Sequence, residues 1–75
     1  MEIKGFIKFF SEQFDETAFE VFKPETVFKE LDEWNSLTAL SVISIIDEEY
    51  EKRITGADLR SCKTIEELFL LVESK

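Results

Sequence analysis

Backbone punctuation is scarce in this chain: Gly5, Gly56 and Pro24 are the only glycines and proline among 75 residues. β-Branched residues do not alternate with polar ones over any long stretch, so the period of two that marks a half-buried strand is missing. What recurs is the three- and four-residue step of a helix. Ile3, Phe6, Ile7, Phe10 and Phe14 lie on one such stripe, which predicts a first helix over about residues 2–14 with Phe9 off the buried face.

From Asp15 to Asn35 the periodicity dissolves into isolated apolar residues, Phe19, Val21, Phe22, Val27, Phe28 and Leu31, around Lys23-Pro24-Glu25-Thr26. The expectation is a long loop pinned to the core by those anchors, because a loop of about twenty residues must pack its own side chains or serve function. Pro24 suits the first position of a short helical turn. A second helix is expected from Ser36 or Leu37 to Tyr50, capped by Asn35 or Ser36. At about 100° per residue Ala39, Val42, Ile43, Ile46 and Tyr50 face the core. Leu37, Leu40, Ser41, Ser44 and Glu48 fall opposite, which leaves two exposed leucines beside Ser36.

A turn through residues 51–56 leads to a short third helix over about residues 57–61, burying Ile54 and Leu59. Thr64-Ile65-Glu66-Glu67 reads as a reciprocal capping box opening a fourth helix with Leu68, Phe69, Leu71 and Val72. The expected fold is all-α, a four-helix bundle with three longer helices and one short helix. Residues 1–75 form a single domain in this reading, near the size at which one core just offsets chain entropy. With 44% apolar residues and eight phenylalanines, the chain is too apolar for a disordered acidic tail.

Seventeen acidic residues against nine basic ones give a formal charge of −8. Such a surface repels nucleic acid and anionic membranes and favours proteins that carry Lys/Arg patches. No apolar segment approaches the roughly 20 residues of a bilayer span, and Lys4, Lys8, Ser11 and Glu12 interrupt the apolar start that a secretory signal needs. Cys62 has no second cysteine to pair with. A monomer in a reducing cytoplasm, without membrane insertion or nucleic-acid binding, is therefore expected.

Enzymatic chemistry has little to work with. Histidine is absent and cysteine single, so zinc would need carboxylates alone. In the acidic run 47–58 Lys52 occupies the place where a calcium loop needs glycine. The other acids lie in solvated runs, and no glycine-rich phosphate loop is present. Ser36 has no histidine to take its proton, so it is expected to be a point of attachment and not a nucleophile in its own reaction. Serine is also among the best helix N-caps, which by itself explains a serine at that position.

The neighbouring residues go further. Glu-Leu-Asp-Glu-Trp-Asn-Ser-Leu at 30–37, with Ile-Ile-Asp-Glu-Glu-Tyr closing the helix at 45–50, resembles the acyl carrier proteins, whose attachment motif is Asp-Ser-Leu at the start of helix two. Pro24–Leu31, Ile54–Leu59 and Thr64–Leu68 extend the likeness over nearly the whole chain. The resemblance implies that a holo-synthase esterifies Ser36 with 4′-phosphopantetheine from coenzyme A, with Asn35 and Leu37 framing the site. The arm's terminal thiol then carries acyl groups as thioesters. It implies as partners the acyl-transferring and chain-elongating enzymes, whose basic patches dock on helix two. Asp47, Glu48 and Glu49 match that pattern, whereas Thr38 and Ser41 stand where fatty-acid carriers often have acids. Leu37 and Leu40 would add apolar contact, and Glu33 would add charge from the loop.

Asn35 departs from the family's aspartate. It caps equally well but lacks the charge that helps the holo-synthase engage the serine. Trp34 is expected to pack the end of the loop against helix two, and Cys62 to be a small buried or half-buried filler. The phenylalanines fit either a packed core or an interior that expands to shelter an acyl chain. Aminoacyl and peptidyl carriers share the bundle, and a helical interaction module in which Ser36 only caps is the rival from another class.

Overall fold

The structure is a computed structural model that describes residues 2–75. Four α-helices carry the fold: α1 (Ile3–Ser11), α2 (Ser36–Tyr50), α3 (Gly56–Ser61) and α4 (Ile65–Glu73). No strand occurs among the described residues. Helix α1 packs on α2 and α4, and α3 packs on the same two, giving a small helical bundle.

The apolar stripe of α1 is buried as its spacing requires, at Phe6, Ile7 and Phe10. The helix stops at Ser11, three residues short of the end expected from that stripe. Ser11 Oγ donates to the Lys8 carbonyl at 2.8 Å, and the next backbone bonds tighten to three-residue steps, Gln13 N–H to Phe10 O and Phe14 N–H to Ser11 O. This side-chain competition for helical carbonyls favours termination. Phe14 still reaches the core because the tightened turn carries the stripe onward.

The segment from residue 12 to residue 35 contains two 3-10 turns, Phe19–Val21 and Phe28–Glu30. Phe22 and Phe28 pin it to the core, whereas Phe19 and Val21, expected as anchors, are exposed. The three-residue repeat of the first turn aims Phe22 inward and leaves the residues before it outside. Pro24 sits in a single turn closed by Thr26 N–H on the Lys23 carbonyl, and no helix follows it. The loop then serves α4: the carbonyls of Thr26 and Pro24 accept from Ile65 N–H at 3.1 Å and Glu66 N–H at 2.9 Å. Those N–H groups have no acceptor within their own helix.

Helix α2 spans the expected residues and faces the expected way. Val42 and Ile46 are buried, Ala39, Ile43 and Tyr50 are half-buried, and Leu37, Leu40, Ser41, Ser44 and Glu48 are exposed. It ends on Glu51, whose φ of 55° is the only positive value at a described non-glycine residue. The full capping box belongs to α3: Asp58 N–H donates to Thr55 Oγ1 and Thr55 N–H donates to Asp58 Oδ2. At α4 only half of the anticipated box forms. Glu67 N–H donates to Thr64 Oγ1, but the longer Glu67 side chain reaches past Thr64 and accepts from Lys63 N–H at 2.7 Å.

The core is aromatic. Phe10 packs against the rings of Phe14, Phe22, Phe28 and Trp34 at centroid distances of 5.4, 6.1, 5.4 and 6.4 Å, and Phe6 meets Phe69 edge-on at 5.4 Å. Phe9, off the stripe, lies half-buried with its ring edge-on to Tyr50 at 5.9 Å. The apolar seam between α1 and α2, lined by Phe6, Phe9, Val42, Ile46 and Tyr50, is too narrow to admit a water molecule. The phenylalanines pack closely in this structure. No described helix is long and apolar enough to cross a membrane.

Candidate functional site

Ser36 is the first residue of α2, and its side chain is exposed. Capping is done by its neighbour: Asn35 is extended (φ −156°, ψ −175°) and its Oδ1 accepts from Thr38 N–H at 3.0 Å. Thr38 Oγ1 reinforces the turn by donating to the Glu33 carbonyl at 2.7 Å. The Ser36 hydroxyl has no hydrogen-bond partner among the described residues, so the helix does not depend on it. A serine that only caps would accept one of the first free N–H groups; here Asn35 does so and Ser36 Oγ is left to solvent.

Two residues before the cap the chain is fastened. Glu33 accepts from the backbone N–H groups of Asp15, Glu16 and Thr17 at 2.7–3.1 Å and from Thr17 Oγ1 at 2.6 Å. The Thr17 hydroxyl, helped by those backbone N–H groups and opposed by partial loss of hydration, holds the carboxyl below the usual glutamate range. Glu33 therefore stitches the start of the long loop to its end, a role not apparent from its position beside Trp34. Its expected part as a charge facing partners meets a carboxylate whose two oxygens are both engaged within the chain.

Trp34 is half-buried, and its ring contacts lie with α1 and the loop. Its ring lies edge-on to Phe28 at 4.9 Å and stacks on Phe10 and Phe14, each at 6.4 Å, so it packs the loop against α1, and it shares a surface depression with Ala39 of α2. The three-residue turn at Phe28–Glu30 brings Phe28 beneath it, and sequence periodicity does not register such a turn. Cys62 is buried at the end of α3, and burial pushes its thiol upward, away from the reactive thiolate.

Ser36 opens onto a surface depression of about 330 Å³ shared by the loop, α2 and α3. Trp34, Asn35, Ala39, Gly56 and Leu59 line it, together with Lys29 and Arg60. No carboxylate lines it. On the outer side of α2 a separate groove of about 350 Å³ runs past Gln13, Leu37, Leu40, Ser41, Ser44, Ile45 and Glu48. Leu37 and Leu40 are 76% and 61% exposed there, an apolar pair held in water next to the serine.

The site residues do not all converge. Asn35, Leu37 and Leu40 accompany Ser36, but Asp47, Glu48 and Glu49 lie at the far end of α2, about 18 Å along the axis at the helical rise per residue, with Glu48 at the other end of the groove that begins at Leu37 and Leu40. These three acids are exposed and occupy a helix C-terminus with no basic residue in its last turn. The helix dipole opposes them there, so helix stability does not account for their placement.

Comparison with protein-family models, with curated proteins and with solved structures gives no significant match.

Proposed function

We propose that this chain is a bundle of the acyl-carrier type that carries acyl groups on a 4′-phosphopantetheine arm esterified to Ser36. The observation that supports this best is the division of labour at the start of α2, where Asn35 caps and the Ser36 hydroxyl stays exposed without a partner. The motif around Ser36 and its resemblance to the acyl carrier proteins suggest the identity of the arm. The residues present suit such a group: the oxygen to be esterified is accessible, and the depression beside it is lined by two cations and no acid. When attached, the arm supplies a thiol that holds the acyl group as a thioester.

In this reading the chain's own residues attach and present. Asn35 and the Glu33 fastener hold the Ser36 turn in place, while a separate holo-synthase supplies the base and the catalysis. Tethering keeps an intermediate at high effective concentration for successive enzymes. Those partners dock through basic patches on the exposed face of α2, with Leu37 and Leu40 near the serine and Asp47, Glu48 and Glu49 further away. Binding through exposed charge is weak and salt-sensitive. The test is the mass of the protein recovered after coexpression with a holo-synthase. A gain of one phosphopantetheine with further mass released by hydroxylamine is expected; an unmodified protein from cells in which another carrier is loaded overturns the proposal.

A further inference from the structure

We infer that Lys29 and Arg60 form a cationic cradle that holds the phosphodiester joining the arm to Ser36, so that the root of the arm lies in the depression between the loop, α2 and α3. This inference rests on the carrier reading of Ser36. Acids outnumber bases 17 to 9 in the chain, yet the only charged side chains lining the depression beside Ser36 are Lys29 and Arg60. Neither is neutralised: the sole ion pair among the described residues joins Lys75 to Asp58 at 3.1 Å.

Lys29 is also tied to the helix that carries Arg60. Lys29 Nζ donates to the Arg60 carbonyl at 2.8 Å, tying the loop's second 3-10 turn to the end of α3. Arg60 lies back along its helix over Gly56, where a methyl group on Gly56 would come within 3.4 Å of Nη1. A phosphodiester in the depression meets two positive side chains and no negative one. The planar guanidinium suits two phosphate oxygens, and the lysine adds a point charge.

The consequence is directional. An arm held at its root leaves the serine toward α3, on the opposite side from the Leu37 and Leu40 groove, which stays free for partner enzymes. The test uses the full chain before and after reaction with coenzyme A and a holo-synthase, with intact mass reporting attachment. In the loaded protein the Arg60 Nε–H resonance should shift from its unloaded position, while that of exposed Arg53, which does not line the depression, stays put. The phosphorus resonance of loaded protein should move and narrow in the K29Q/R60Q double variant, and should do the same in wild type at high salt as the contacts are screened. The wild-type comparison decides the matter even if that variant fails to fold. Loaded protein with an unmoved Arg60 resonance overturns the cradle and leaves the carrier reading standing; no mass gain with a competent holo-synthase overturns both.

Discussion

Replacing Asn35 with alanine removes the only side-chain cap of α2, a single oxygen 3.0 Å from Thr38 N–H. The N–H is at an exposed helix end, so water takes over part of the lost bond and the cost should be near the middle of the known range, about 1 kcal/mol. For a domain of this size that lowers Tm by roughly 4–8 °C. Asn35→Asp keeps the oxygen and adds a charge favourable to the helix N-terminus, typically about 0.3–1 kcal/mol. Glu30, Asp32 and Glu33 are close in sequence and repel it, so the low end of that range applies. The sign in pH follows from the same interaction. A carboxylate stabilised by a helix N-terminus has a folded pKa below its unfolded value, so its contribution is present above about pH 3.9 and is lost as pH falls through the folded pKa. Thermal melts of the three proteins by circular dichroism, at low and high salt, provide the assay. An Asn35→Ala melt unchanged from wild type would refute the division of labour at this turn, because it would mean that Ser36 or water already caps the helix.

Three other perturbations follow from the same structure. Glu33→Gln should destabilise the protein near neutral pH, and its deficit should shrink in acid: the Glu33 pKa is lowered, so its stabilisation is complete above the unfolded value and disappears as pH falls through the folded one. A deficit that does not change between neutral and strongly acidic melts would contradict the fastener. Glu51→Gly relieves a left-handed residue at the end of α2 and should raise stability by roughly 0.5 kcal/mol, the strain relief exceeding the added unfolded-chain entropy; a loss on chemical denaturation would count against it. Asn35→Asp should also be esterified faster by a holo-synthase, since it restores the charge expected beside the serine, and equal initial rates for both proteins would remove that idea.

The parts of the fold visible in the sequence are those governed by a local period or a local cap. The α2 face and boundaries follow from Val42, Ile46 and the exposed leucines, and the stripe of α1 follows from Phe6 and Phe10. What stays hidden depends on bonds between distant residues or on a choice between near-equal partners. Glu33 looks like a surface acid until the chain folds Asp15–Thr17 back onto it, and the ring partners of Trp34 emerge only when a 3-10 turn places Phe28 beside it. Thr55 and Thr64 each begin a Thr-x-x-acid pattern suited to a capping box; only the shorter Asp58 closes on its own threonine. The candidate site divides in the same way. Ser36 and its frame are contiguous in sequence, whereas Lys29 and Arg60 meet beside it only through the packing of the loop against α3.

The central claim is that Ser36 Oγ is a handle for an arm and not a helix cap. Intact-protein mass spectrometry after reaction of purified wild type and Ser36→Ala with coenzyme A and a broad-specificity holo-synthase measures this directly. The expected result is a gain of one phosphopantetheine in wild type and none in Ser36→Ala, with the two proteins melting at nearly the same temperature because Asn35 carries the cap. An unmodified wild type alongside a fully loaded control carrier, or an equal gain in both proteins, would contradict it.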